Sequence, residues 1–472
     1  MHVNIAKATP FEGAPQIHMP AVFGIPVGKE LLYHIPVTGE RPISVRVEGL
    51  PEGLHLNEGV LNGVVTQEQE TVILVKAENP AGTALKEILL KVGPEFQLLT
   101  PLMGFTTWNA YESDVTQENV ECVAQQLIST GIRDYGYQYV NVDSGWQKEY
   151  GGQFDAVMPN DKFPDMGSMC RKLHSQGFRC GIYSTPMLTA WGCPKEFASI
   201  PGCTAGEADV LDTDVMGGIG VIHKEKNNVR QWEQWGFDYL KYDWRPCDPR
   251  NADRMKKELV ASNRAFAFNI STSGSIDYGT YWSKNCKSWR DNMDSRDQWD
   301  NVAYRISTVD PWGKFSHAGH FYDLDMLEIG AMAMNQGVNR LTDNEKLFAY
   351  TLRAFFMSPI QLSCHLDKLT EFEFNVICND EIIRLNQDSL CCYPELLYEI
   401  SEKKTKIYQR DLENGDKAIA VFNLGEEEFC DHILLEQKRA VRELWTKEDK
   451  GITNVIPISA APHCVQVFRI SK

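Results

Sequence analysis

The sequence predicts an α/β protein: a (β/α)8 TIM barrel flanked by an N-terminal immunoglobulin-like β-sandwich and a C-terminal antiparallel β domain. Three observations predict it. Short Val- and Ile-rich runs broken by Gly/Pro/Asn turns fill the first hundred residues. Apolar strand-like runs then alternate with amphipathic helical stretches, eight times over about 290 residues. After about Leu390 the alternation is two-residue, with no helix between the runs. At 472 residues the chain is long enough for two or three domains, and the boundaries are expected at 1–98, 99–392 and 393–472.

In the first unit the strand-like runs are Leu31–Val37, Ser44–Val47 and Val72–Ala77, separated by turn clusters such as Gly49–Gly53 and Glu78–Gly82. The barrel strands are expected at Leu102–Trp108, Gln138–Val142, Arg179–Tyr183, Asp238–Tyr242, Ala265–Asn269, Ser288–Met293, His320–Met326 and Pro359–Ser363. Helical periodicity marks Asn119–Gly131, Met166–Gly177, Asn227–Gly236, Lys256–Arg264 and Asp343–Met357. The last unit offers Lys406–Gln409, Ala418–Phe422, His432–Leu435, Ala440–Leu444 and His463–Ile470.

Composition narrows the function. Lys+Arg is 47 against Asp+Glu 64, a net charge of -17, which repels phosphate backbones and anionic bilayers. Nucleic acid and membrane are therefore not expected partners, and a neutral or cationic small molecule is. The longest apolar stretch, Leu347–Leu362, is broken by Arg353 and Pro359. Met1–Gly13 lacks the apolar core of a secretory signal, and thirteen cysteines at unpatterned spacings suit a reducing cytoplasm. Cys193, Cys203 and Cys247 fall near the expected rim loops as candidate reactive thiols. No His-x-His or His-Glu-x-x-His pattern is present, and His317 and His320 lack a cysteine partner, so no metal is expected. The chain has no phosphate-binding loop, dinucleotide fingerprint or Gly-x-Ser-x-Gly elbow.

Barrel active sites lie at the C-terminal strand ends. Here those ends read Trp108-Asn109, Asp143-Ser144-Gly145-Trp146, Tyr183, Lys241-Tyr242-Asp243-Trp244, Trp289-Arg290-Asp291 through Asp294, and Asp323-Leu324-Asp325-Met326. Carboxylates supply proton transfer or covalent attack, and indoles stack on sugar faces. The combination suits glycoside hydrolysis, which needs two carboxylates about the scissile bond. Lys241 and Asp243 are two apart on a strand, so both face the barrel mouth, and the ammonium is expected to favour an ionised Asp243. A proton donor such as Asp294 is expected to have a raised pKa. The residues themselves say only that some rim aspartate plays each part.

At these positions the chain resembles glycoside hydrolase family 27, the α-galactosidases and α-N-acetylgalactosaminidases. Met103-Gly104-Phe105-Thr106-Thr107-Trp108-Asn109 is similar to that family's Met-Gly-Trp-Asn-Ser-Trp opening, and Val140–Trp146 to its Ile-Asp-Asp-Gly-Trp motif. Trp235–Asp243 resembles its nucleophile strand, and Asp325-Met326-Leu327 and Leu385-Asn386-Gln387-Asp388 follow in order. The likeness covers about 101–390, and the N-terminal unit resembles immunoglobulin-like domains fused to some bacterial members.

The resemblance implies a retaining mechanism on terminal α-galactosides, with Asp243 as nucleophile, Asp294 as acid/base and no cofactor. It also implies that Trp108, Asp143, Tyr183, Lys241, Arg290 and Asp325 line the sugar subsite. The chain departs from the pattern at three places that bear on the substrate, one of them Phe321-Tyr322-Asp323-Leu324-Asp325 in place of the family's Trp-Asn-Asp-Pro-Asp run. Ser144 stands where the family has a second aspartate, and Asn269-Ile270-Ser271-Thr272-Ser273 lacks the usual glutamate. Ser144 and Ser271 are thus candidate substrate contacts. The alternatives are the same mechanism on a β-L-arabinopyranoside, an α-N-acetylgalactosaminide or an isomaltose-type α-glucoside, or a catalytically weak carbohydrate-binding barrel. A homo-oligomer is compatible with the composition.

Overall fold

The structure is a computed structural model that describes residues 4–191, 200–210, 217–271, 274–291 and 294–472. Cys193, Thr272, Ser273, Asn292 and Met293, singled out above, lie outside the described residues.

Eight parallel strands stand in chain order: Met103–Thr106 (β1), Tyr139–Val142 (β2), Arg179–Ser184 (β3), Tyr239–Asp243 (β4), Ala267–Ser271 (β5), Ser288–Trp289 (β6), Phe321–Tyr322 (β7) and Ile360–Leu362 (β8). Ladders join β1 through β7 in sequence and β8 back to β1. Between β7 and β8 a different set of bonds closes the ring. Leu327 N–H donates to the Gln361 carbonyl at 2.8 Å, and Leu324 N–H to Ser358 Oγ at 2.8 Å. Arg353, fully buried, donates to the Leu324, Asp325 and Met326 carbonyls and pairs with buried Glu328 at 2.9 Å. This seam fixes the turn that carries Asp325. Close packing inside the ring needs a missing side chain at Gly181, where a Cβ would collide with Asn141 and Tyr239.

Helices pack around the strands, and their starts follow capping chemistry. Thr116 and Thr342 form capping boxes with Asn119 and Glu345. Asp248 accepts from Asn251 N–H ahead of Pro249, so that helix runs Pro249–Ala261 and begins seven residues before the periodicity suggests. Helices Gly279–Asn285, Trp299–Gly313, Glu371–Ile377 and Asp380–Asn386 were not expected. Pro311 near the end of the second of these masks its pattern. Two hairpins, Gln147–Gly151 with Ala156–Pro159 and Thr204–Val210 with Ile219–His223, rise above the C-terminal strand ends.

The N-terminal unit is a β-sandwich. Val22–Pro26, Gly82–Gly93, Gln69–Asn79 and Ser44–Glu48 form one sheet, and Glu30–His34, Val60–Val64 and Leu54–Asn57 the other. Alternate residues Ile73, Val75 and Ala77 meet Ile25, Leu31, Leu61, Ile88 and Leu90 in a separate core. This sandwich sits against the residues that precede the barrel strands. Arg179 Nε donates to the Leu32 carbonyl at 2.8 Å, Gln138 Nε2 to the His34 carbonyl at 2.6 Å, and Arg264 pairs with Glu30 at 3.0 Å. Buried Asp134 is clasped by His34, Arg41 and Arg133. The sandwich therefore covers the floor of the barrel, opposite the strand ends that carry the candidate site.

The C-terminal unit is one six-stranded antiparallel sheet. The runs expected at His432–Leu435 and Ala440–Leu444 are a single strand, Phe429–Glu443, paired with Glu448–Ala460 across a register shift between Leu434 and Arg439. Beyond that shift the hairpin folds over, so Phe429, Ile433, Ile456 and Ile458 pack with Ile407, Ile419 and Val421 as a two-layered sandwich. It docks on helix Asp343–Phe355, where Phe348 meets Phe422 edge-on and Trp445 Nε1 donates to Thr351. Among the described residues no helix is long and apolar enough to cross a membrane.

Candidate active site

A narrow cleft of about 70 Å³ opens at the C-terminal strand ends. Trp108, Asp143, Tyr183, Lys241, Asp243 and Asp294 line it, so six of the ten candidate residues share one cavity. Trp191, Arg245 and Met326 complete the lining.

Asp143 follows β2 and is buried. Its N–H donates to Thr107 Oγ1 at 2.9 Å, and its Oδ2 accepts from Lys241 Nζ at 2.8 Å. Lys241 was expected to serve Asp243, but its hydrogen bond goes to Asp143. Burial alone would lower the lysine pKa. The carboxylates of Asp143, Asp243 and Asp325 outweigh burial and hold the ammonium protonated. Asp243, the last residue of β4, is 8% exposed and meets the cleft from the same face as Lys241. The Tyr183 phenol is raised well above its ordinary value by burial, then by the Asp243 and Asp143 carboxylates.

Asp294 is 41% exposed and accepts from Arg290 at 2.9 Å. Burial pulls its pKa up, but the Arg290 guanidinium outweighs this and lowers it. The raised value expected of a proton donor is not found, because the Arg290 guanidinium stands 2.9 Å from the carboxylate, a pairing the sequence does not reveal.

The other four candidates stand behind the cleft wall. Arg290 is 3% exposed, which rules out a surface ion pair, and it also holds Asp325 at 3.1 Å and Ser271 Oγ at 3.0 Å. Asp325 is buried in the left-handed region at φ 69° and accepts the Ser295 N–H at 2.7 Å. Arg290 and Lys241 hold its pKa well below the carboxylate range despite burial. Ser271 is fully buried on Arg290. Ser144 is fully buried too, its hydroxyl donating to the Trp191 carbonyl. Neither serine lines the cleft.

The tryptophans divide similarly. Trp146, Trp244 and Trp289 are core residues, and only Trp108 of the strand-end indoles faces the cleft, from the first turn of helix Trp108–Tyr111 rather than from a strand. Trp191 and Arg245 were missed. Trp191 lies far along an irregular loop after β3, while Arg245, two residues past Asp243, was legible from the strand-end rule itself.

Cys203 and Cys247 are buried. Burial pushes the Cys203 thiol up to about 12 and that of Cys247 well above its ordinary value, so neither is a nucleophile. The metal-type cluster found among the described residues is His174, Cys180 and Asp238, near the floor. Its His174 Nε2 and Asp238 Oδ2 already bond at 2.9 Å, and Arg264 takes the other Asp238 oxygen.

Two family models match the chain. The model described as alpha galactosidase A covers residues 100–388, and the alpha galactosidase C-terminal beta sandwich domain covers 402–470. Among relatives, an alpha-galactosidase of Oryza sativa is 25% identical over 384 residues, 78% of this chain and 84% of the relative. Alpha-galactosidase A of Cellvibrio japonicus is 24% identical over 408 residues, 79% and 92% of the two chains. A Bacteroides fragilis structure, described only provisionally as an alpha-galactosidase/melibiase, superposes with a TM-score of 0.86 at 25% identity over 98% of this chain and 99% of its own. A family 27 β-L-arabinopyranosidase of Geobacillus stearothermophilus shares the fold, with a TM-score of 0.69 at 21% identity over 79% and 96%. The chain belongs to the alpha galactosidase A family, and it is a glycoside hydrolase.

Proposed function

We propose that this chain is a retaining exo-α-galactosidase that works by double displacement, with Asp243 as nucleophile and Asp294 as acid/base. The observation that carries the reading is that these two carboxylates open on the same cleft from different strand ends. Asp243 attacks the anomeric carbon as the leaving oxygen takes a proton from Asp294, and Asp294 then draws a proton from water that releases the sugar. Asp143 and Lys241 hold sugar hydroxyls as a fixed acceptor–donor pair. Trp108 offers the apolar face. Arg290, anchored by Asp325 and Ser271, positions Asp294. The names of the relatives support galactose as the sugar.

A second reading, a β-L-arabinopyranosidase, is favoured by Ser144, whose hydroxyl is occupied by the Trp191 carbonyl and leaves no second carboxylate beside Asp143. We read the chain as three units at 1–98, 99–392 and 393–472, the first immunoglobulin-like in view of its two packed sheets. A panel of 4-nitrophenyl α-galactoside, β-L-arabinopyranoside, α-N-acetylgalactosaminide and α-glucoside tests the reading. The α-galactoside is expected to be cleaved fastest, and preference for another member would move the substrate while keeping the mechanism.

A further inference from the structure

The cations around the cleft are not equally engaged. Lys241 is bonded to Asp143 at 2.8 Å, and Arg290 behind the wall is shared by Asp294 and Asp325 at 2.9 and 3.1 Å. Arg245 lines the same cleft, yet among the described residues no carboxylate comes within ion-pair distance of it. Its Nε is shielded from solvent and has no hydrogen-bond partner among the described residues. Its guanidinium carbon lies 5.8 Å from the Trp191 ring centroid. An aromatic neighbour of that kind leaves the planar fork of donors available to an acceptor. The Trp191 backbone is itself held, because its carbonyl accepts the Ser144 hydroxyl. That side of the cleft is therefore an indole beside a cation whose Nε has no partner among the described residues, in a cleft that Asp143, Asp243 and Asp294 also line.

A guanidinium fork matches a carboxylate or sulfate better than it matches a hydroxyl. Position decides which part of the substrate would carry the anion. Trp191 follows β3 and Arg245 follows β4, whereas Asp294, which serves the leaving group, follows β6. We propose that Arg245 is a specificity-determining residue that reads an anionic group, a carboxylate or a sulfate ester, on the glycone held in the cleft. The inference rests on the glycosidase reading above and narrows its substrate class to anionic α-galactosides.

The test compares kcat/KM for 4-nitrophenyl α-D-galactopyranoside, its 6-carboxylate (the α-D-galacturonide) and its 6-O-sulfate, in wild type, Arg245→Gln and Arg245→Lys. One anionic substrate is expected to exceed the neutral one by about tenfold or more, the effect of a charge-assisted hydrogen bond. That ratio should collapse in Arg245→Gln and persist in part in Arg245→Lys. Which anion wins distinguishes the uronate from the sulfate. Preference for the neutral substrate, or an Arg245→Gln effect equal on all three, overturns the inference and leaves the glycosidase reading intact. Calorimetric titration of Asp243→Asn with galactose, galacturonate and galactose 6-sulfate gives a second readout that needs no turnover. Tighter binding of an anion, lost on adding Arg245→Gln, supports the role of Arg245 even if a folded wild type cleaves none of the three, a result that would sink the α-galactosidase reading instead. Equal binding, or none, overturns the inference.

Discussion

Lys241 donates its ammonium to Asp143 at 2.8 Å, tying β4 to the end of β2 across the mouth of the barrel. The two residues are 15% and 3% exposed, so each is the other's counter-ion in a site from which water is largely excluded. Lys241→Met leaves Asp143 buried without its counter-ion, with the Ser144 N–H still donating to Oδ1 at 2.8 Å, and is expected to cost about 3–5 kcal/mol of stability. Lys241→Met with Asp143→Asn should recover part of that loss. Chemical denaturation of the two variants checks it, and the double variant is expected to remain impaired in KM, since both groups line the cleft.

Asp294 sits beside Arg290, which lowers its pKa. Only the protonated acid can donate, so kcat/KM should fall as pH rises out of the acidic range. In Asp294→Ala that limb should vanish. The loss should be about 10²–10⁴-fold for an alkyl α-galactoside and much smaller for a 4-nitrophenyl one, whose leaving group needs little protonation. Paired pH–rate profiles on the two substrates decide the assignment.

Ser144 spends its hydroxyl on the Trp191 carbonyl. Ser144→Ala should therefore lower stability by about 0.5–1.5 kcal/mol with a modest change in KM. Ser144→Asp sets a carboxylate against that carbonyl oxygen and should raise KM rather than lower it. Steady-state kinetics with thermal melts on both variants separate this from a direct sugar contact, for which Ser144→Asp would tighten binding.

His174 and Asp238 form a half-buried pair near the barrel floor, at 2.9 Å. Burial opposes the charge, but the Asp238 hydrogen bond prevails and the His174 pKa rises to about 10. A raised folded-state pKa stabilises fully below the unfolded value of about 6.5 and is lost as pH climbs through the folded value. Melting temperature should thus decline between pH 7 and 10 in wild type, and His174→Gln should be less stable at pH 7 and lose most of that slope.

Much of this was legible in the sequence, and the exceptions share physical causes. Strand existence followed from apolar runs, but the strands end earlier or later by a few residues because periodicity is blind to where a ladder stops. His320–Met326 is strand only at Phe321–Tyr322, since Arg353 draws the next carbonyls into the seam. Residue type at strand ends located the cleft. It could not say that Ser271, Arg290 and Asp325 stand one layer back, or that Trp146 and Trp289 turn into the core, because partner choice among rim groups is a tertiary fact. Trp191 was invisible for the same reason, as only the folded loop brings it over the cleft.

The central claim is retaining hydrolysis of an α-galactoside through Asp243. Proton NMR of the first galactose released from 4-nitrophenyl α-galactoside tests it most directly, with Asp243→Asn as the control. Retention through Asp243 requires the α-anomer first, mutarotating to β later, and no release by the variant. Initial β-galactose, or release undiminished in Asp243→Asn, would contradict it.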